Sequence, residues 1–298
     1  MPNVRHCASS IWRALSVGIL LAGVMLFGCG GQAPTGETVS HGDSAGGWLE
    51  HGAVLANEGP GFVRARPTDP TRFGLPRLVR AIEIASAGVL EVYPDSAPLR
   101  VGDLSAPLGG RHHRHRSHRS GRDVDLILYA TDLQGESVRG RGWVAYDRHG
   151  VGVEPTDRGG RVLLFDDARN WHLVRTLLLD EDAQVQWIFI SRGLKARLLS
   201  YAAAHEPNPE ALFRAAWALH QPTRGNPHAD HFHVRIACGA TQRALDCRDR
   251  GPMWSWWRDA VVKRDAYAPL DDQSLLAQLL ADADADADDA AGVEPGSN

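Results

Sequence analysis

The sequence predicts an α+β fold, a central antiparallel sheet flanked by helices, and three observations lead there. Stretches at 124–129, 185–190 and 231–236 are short, apolar-rich and strand-like, with side chains alternating between two faces. Stretches at 73–88, 169–180, 194–205 and 211–220 instead set apolar residues at helical spacing. The two kinds of element do not follow the regular strand–helix–strand rhythm of a parallel sheet.

The chain opens with an export signal. Arg5 and Arg13 accompany an apolar run from Ala14 to Phe27, shorter than a membrane-crossing helix needs. Leu26-Phe27-Gly28-Cys29 resembles a bacterial lipobox, in which the Cys is acylated and becomes the mature N-terminus. Residues 1–28 are therefore expected to be a lipoprotein signal peptide, and 29–45, beginning Gly30-Gly31-Gln32-Ala33-Pro34, a flexible tether. Acyl chains on Cys29 would anchor the protein without spanning the bilayer. Gly30, where an Asp would retain the protein at the inner membrane, implies by resemblance the periplasm and attachment to the outer membrane.

A globular domain is expected over 46–260, long enough to bury a real core. Leu75, Leu78, Val79, Ile82 and Ile84 predict a helix over 73–88, with short strands following at 89–93 and 99–104. A buried strand is expected at 124–129, then Gly- and Arg-rich loops and short strands at 138–152 and 159–162. Trp171, Val174, Leu177 and Leu178 share one face of a helix over 169–180. A strand at 185–190 and a helix over 194–205 follow, the helix broken by Pro207-Asn208-Pro209. A third short helix over 211–220 ends before Pro222. Trp254, Trp256 and Trp257 read as a C-terminal element docking on the core, in preference to a wall of a substrate groove. In 261–298 the Asp–Ala alternation at Asp282, Asp284, Asp286, Asp288 and Asp289 repels itself and offers no core residues, so a disordered acidic tail is expected.

Chemistry concentrates in two stretches. One is Ser117-His118-Arg119-Ser120-Gly121-Arg122-Asp123-Val124-Asp125, and the other is His228-Ala229-Asp230-His231-Phe232-His233. His231 and His233 would point to one side of a strand while Phe232, Val234 and Ile236 point into a core. Imidazole and carboxylate are zinc ligands, and a catalytic zinc takes three of them and keeps one position for water. The pair His118 and Asp125 alone is a weak signal and the triple His228, His231 and His233 a much stronger one; together they point to a zinc site on the sheet. Formal net charge is −4, so the chain as a whole does not seek polyanions, and the export signal excludes nucleic acid as a partner. The basic stretch from Arg111 to Arg122 is local and suited to steering an anionic substrate, while His112 and His113 read as solvated.

Of four cysteines, Cys7 leaves with the signal and Cys29 carries lipid, so Cys238 and Cys247 remain to pair in an oxidising compartment. The alternative, a structural Cys/His zinc site, lacks a C-x-x-C spacing.

These motifs resemble the penicillin-insensitive murein endopeptidases, within the superfamily of lysostaphin-type enzymes, D-Ala-D-Ala metallopeptidases and hedgehog domains. The resemblance extends to Val101-Gly102-Asp103-Leu104, Pro107-Leu108-Gly109-Gly110-Arg111, Trp187-Ile188-Phe189-Ile190 and His231-Phe232-His233-Val234-Arg235-Ile236-Ala237-Cys238. It implies one Zn²⁺ per chain held by His118, Asp125 and His233, with His228 and His231 beside the metal water as base and acid. His115 takes a minor supporting, substrate-side role. The implied activity is hydrolysis of the D-alanyl–meso-diaminopimelyl cross-link of peptidoglycan, insensitive to β-lactams because no serine is acylated. A D,D-carboxypeptidase, or a non-catalytic zinc-containing wall-binding lipoprotein, is the alternative. Where the family often carries an aromatic residue three positions before the upstream His, this chain has Gly225.

Overall fold

The computed structural model describes residues 36–155, 159–223 and 225–257. The expected signal peptide, Cys29, the start of the tether and the acidic tail lie outside the described residues. In chain order come β1 (Val39–His41), β2 (Trp48–Glu50), β3 (Ala53–Val54), β4 (Glu58–Gly59), β5 (Phe62–Arg64) and β6 (Phe73–Gly74). Helix α1 (Pro76–Val92) leads to β7 (Leu99–Val101), β8 (Asp123–Ile127), β9 (Ala130–Thr131), β10 (Ser137–Val138), β11 (Val151–Val153) and β12 (Val162–Phe165). Then follow α2 (Asp167–Leu179), β13 (Val185–Phe189), α3 (Arg192–His205), α4 (Pro209–Ala218), β14 (Leu219–His220), β15 (His231–Ile236) and α5 (Ala240–Ala244).

The main sheet has seven strands in the order β14-β13-β15-β8-β7-β5-β4. Its centre, β13-β15-β8-β7, is antiparallel as expected, but β14 pairs with β13 and β5 with β7 in parallel, so the sheet as a whole is mixed. The reason lies in the connections. Helix α1 carries the chain from β5 to β7, and α3 and α4 carry it from β13 to β14; a helical crossover returns its strand in the same direction. A second sheet, β10-β9-β12-β11, forms from the Gly- and Arg-rich region.

Several boundaries differ from the sequence reading: the strand expected over 99–104 ends at Val101, and residues 219–220, expected as the end of a helix, form β14. Residues 89–92, expected as strand, are the last turn of α1, because Val89 continues the buried stripe of Leu78, Val79, Ile82 and Ala85. The helix starts later than predicted, at Pro76 in its first turn, where a missing N–H is no loss. It stops before Pro94, which cannot continue it. The tether was expected to run to residue 45, yet β1 lies within it, paired with β2. Ser40 N donates to Gln242 Oε1 at 2.6 Å and Gly42 N to Asp246 O at 2.9 Å, so this stretch is tied to the segment after β15.

The two faces of the sheet differ. Val124, Leu126, Ile188, Phe232, Val234 and Ile236 are fully buried and share a core with residues of all four long helices. Helix α2 is capped by Asp166, which accepts the N–H of Arg169, and packs on α1. On the opposite face Trp187 and Phe189 form a smaller aromatic cluster with Trp254 and Trp257. The C-terminal tryptophans thus dock on the core as expected, Trp254 Nε1 donating to Gln186 O at 2.8 Å. The rest of this second face is polar, and it carries the histidines.

Candidate metal centre

Strand register builds the site. In the β15–β8 ladder His233 lies opposite Asp125, Arg235 opposite Asp123 and His231 opposite Ile127. Opposed residues share a face, so His231, His233, Asp123 and Asp125 all project to the polar side. His118 comes from the long connection between β7 and β8, and His228 from the turn before β15. Both adopt left-handed backbone, φ 59° and 55°, which a β-carbon disfavours. Such strain persists where surroundings fix the chain and concentrates at working sites. Around His118 those surroundings are Gly110 N to Arg119 O at 2.8 Å and Arg119 N to Ser44 O at 3.2 Å.

Asp125 is the centre. Its Oδ1 lies 3.2 Å from His118 Nε2, 3.4 Å from His231 Nε2 and 3.5 Å from His233 Nδ1, while Oδ2 lies 3.4 Å from His115 Nε2. Burial opposes ionisation, but His118, His231 and His115 outweigh it and hold the carboxyl well below the usual carboxylate range. His118 and Asp125 are fully buried. Donor atoms from His228, His231 and His233 cluster within 4.8 Å of one another, and so do those of His115, His118 and Asp125.

The donor set fits a divalent metal ion. Both ring nitrogens of His118, both oxygens of Asp125 and Nδ1 of His228 are buried without a hydrogen bond. A buried carboxylate whose oxygens accept no hydrogen bond lacks stabilisation that a bound cation would supply. Oxygen and nitrogen lone pairs that converge at 3.2–3.5 Å without hydrogen-bond alignment are placed to share a cation.

Outer partners fix the rings. His233 Nε2 meets Asp123 Oδ1 at 2.9 Å, and Arg235 Nε donates to the same oxygen at 2.6 Å. Burial raises Asp123, and Arg235 and His233 more than reverse it, so this carboxyl too stays far below its ordinary range. His231 Nδ1 meets Asp230 Oδ1 at 2.7 Å; burial lowers this imidazole, but Asp125 and Asp230 push it up to about 10. Burial lowers His228, and His231 and His233 lower it further, so it stays neutral.

The structure thus brings together all five expected residues, His118, Asp125, His228, His231 and His233. His115, expected at the substrate side, sits on Asp125 and on Asp103 Oδ2 at 3.1 Å. His113 is exposed as expected, but His112 is a correction: it is buried, stacked on His113 at a centroid distance of 5.0 Å and tilted against His115 at 4.9 Å. Burial and then His118 and His115 press its imidazole down to about 3. Cys238 and Cys247 form the expected disulfide, just beyond β15.

Four residues were not anticipated: Asp103, Asp123, Arg235 and Trp143. Asp103 gathers Arg114 at 2.6 Å and Arg66 at 3.3 Å behind His115. Asp123 was legible as the same-face neighbour of Asp125 two residues upstream, and Arg235 as that of His233 two residues downstream. Trp143 stands edge-on to His231, ring centroids 5.0 Å apart at 88°, from a Gly-rich loop that carried no signal.

Residues 40–255 match the family described as penicillin-insensitive murein endopeptidase. The chain belongs to that family. It is 26% identical over 204 residues to a penicillin-insensitive murein endopeptidase of Haemophilus influenzae, covering 67% of this chain and 63% of that protein. The Klebsiella pneumoniae protein of that name is 26% identical over 218 residues, covering 73% and 72% of the two chains. One from Pectobacterium atrosepticum is 30% identical over 184 residues, covering 60% and 56%. The matched family segment contains every residue of the metal centre.

Proposed function

We propose that the protein is a zinc-dependent murein D,D-endopeptidase that hydrolyses the D-alanyl–meso-diaminopimelate cross-link of peptidoglycan. The observation that carries this reading is the buried Asp125 carboxylate, ionised, without hydrogen bonds, and faced by His118, His231 and His233. Family membership supplies the substrate class.

His118, Asp125 and His233 would hold the zinc, His233 through Nδ1 because Nε2 is committed to Asp123. When bound, zinc acidifies a water and polarises the scissile carbonyl. His228, with its buried Nδ1 unpartnered, accepts the proton of the attacking water. His231, held by Asp230 and turned with Nε2 toward Asp125, donates a proton to the departing amine. No serine nucleophile takes part, so β-lactams have nothing to acylate. The protein is further proposed to act from the periplasmic face of the outer membrane, tethered through lipid on Cys29.

The test is chromatography of muropeptides from cross-linked sacculi treated with the full chain, with chelator, with chelator followed by zinc, and with His233→Ala. Dimers should become monomers only in the untreated and zinc-restored arms. Free D-Ala in place of dimer loss would transfer the assignment to a D,D-carboxypeptidase. Equal digestion by His233→Ala would end the metal mechanism.

A further inference from the structure

Beyond the metal, the register reaches one strand further. Arg100 on β7 lies opposite Ile127 on β8, which lies opposite His231 on β15. The three form one cross-strand row on the polar face, which places the Arg100 backbone about 10 Å from that of His231 at two strand spacings. Sequence pattern gave no reason to single Arg100 out.

The segment between β10 and β11 lies over this row. Its Trp143 rests on Gly102, where a β-carbon would meet the indole at 2.7 Å and the Asp125 β-carbon at 3.0 Å; only glycine admits the ring there. The Arg66 guanidinium lies over the same indole, 5.2 Å from the centroid. Arg100 Nη1 donates to Gly140 O at 3.0 Å and Gly142 O at 2.6 Å and so pins the two ends of the turn before Trp143. Beneath the turn opens a shallow cleft, floored by Leu128, Tyr129, Val144 and Tyr146, with Arg100 and Arg139 on its wall.

The charge in this cleft is one-sided. Among the described residues neither Arg100 nor Arg139 is in an ion pair with an acidic side chain. Burial lowers Arg100, and Arg139 and Arg66 lower it further. Guanidinium is the side chain whose planar fork matches a carboxylate, and the half-buried Arg100 beside the exposed Arg139 favours an anion at the rim of the cleft.

We propose that Arg100 and Arg139 form a subsite that binds a free carboxylate of the substrate's peptide stem, with Trp143 as the wall between this subsite and the catalytic histidines. The inference rests on reading the protein as a cell-wall peptidase. At roughly 3.3 Å per residue in an extended chain, the cleft receives a group about three residues from the bond at Asp125. The enzyme therefore selects stems by a charge distant from the scissile amide.

The test is calorimetric binding of a soluble monomeric stem, L-Ala-γ-D-Glu-meso-diaminopimelyl-D-Ala, to the zinc-loaded full chain. The peptide carries its carboxylates either free or amidated. A charge-assisted contact to guanidinium predicts that the free form binds roughly tenfold tighter or more. In Arg139→Gln that preference should fall toward one while the affinity for the amidated peptide is retained; in Arg100→Gln the preference should fall likewise, with some loss of affinity for both peptides because the turn is also released. A merely structural role for Arg100 would weaken both peptides alike, and Arg139, which pins no turn, separates the two effects. Equal affinity of wild type for both peptides, failure to bind either, or an undiminished preference in both variants overturns the subsite. Dimer loss from sacculi alongside any of those results leaves the peptidase reading standing, whereas absence of dimer loss removes that reading.

Discussion

Replacing Asp123 by Asn tests whether the carboxylate behind His233 sets the metal centre. Asp123 is fully buried, and its Oδ1 receives His233 Nε2 at 2.9 Å and Arg235 Nε at 2.6 Å. Asparagine keeps the shape but removes the negative charge that faces a buried guanidinium. Unbalancing a buried ion pair costs about 3 kcal/mol. For a domain of this size that is a fall in Tm of roughly 6–12 °C. The second loss falls on the ligand: without a carboxylate on Nε2, His233 loses both the tautomer lock and part of its basicity at Nδ1. Removal of such an outer partner costs about 10–100-fold in metal affinity. Competition for zinc against a chromophoric chelator measures the affinity, and thermal unfolding with excess zinc measures the stability. Zinc affinity within threefold of wild type would refute the claim that His233 binds through Nδ1 under the control of Asp123. An unshifted Tm would refute the claim that Arg235 depends on that charge.

Two further outcomes are expected. His228→Ala should keep the metal and lower turnover on sacculi by about a hundredfold to ten-thousandfold, the usual loss of a proton-transfer group; metal analysis showing zinc lost with the side chain would reassign His228 as a ligand. Cys238→Ser together with Cys247→Ser should lower unfolding stability by about 2–3 kcal/mol through the short loop released, read by denaturant titration under oxidising conditions, and no change would show the loop to be held by its hydrogen bonds alone.

The centre of the fold was legible because period-two patterning on β8 and β15 fixes both which side chains meet the core and which meet each other. Once Phe232, Val234 and Ile236 go inward, His231 and His233 have to share the other face. Direction and boundary were less legible. Whether β14 runs parallel to β13 depends on helical connections, which the residues of β14 do not encode. The end of α1 was misread because Val89-Leu90-Glu91-Val92 carries β-branched residues, and burial against the core overrode that local preference. His112 reads as solvated in a run of basic residues, but the imidazoles of His113, His115 and His118 pack around it and it is buried, and composition carries no information about such packing. Trp143 meets His231 through loop packing and Arg100 shares its row through a two-strand register, relations assembled only in the folded sheet.

Two histidines of one strand, equivalent in sequence, are made unlike by the carboxylate each one meets. Asp123 takes Nε2 of His233, leaving Nδ1 to face Asp125 at 3.5 Å. Asp230 takes Nδ1 of His231, leaving Nε2 to face Asp125 at 3.4 Å. Opposite nitrogens therefore point at the same oxygen, so the rings approach it along different directions although their backbones are two residues apart. The difference extends to charge, because Asp230 pairs with His231 whereas Arg235 shares the oxygen that holds His233. Burial then keeps His233 neutral and suited to donate a lone pair, while His231 is favoured as a cation and suited to give up a proton. Exchange of the two roles would require moving a carboxylate, not a histidine, and this is why the specificity of the site resides as much in Asp123 and Asp230 as in the imidazoles they hold.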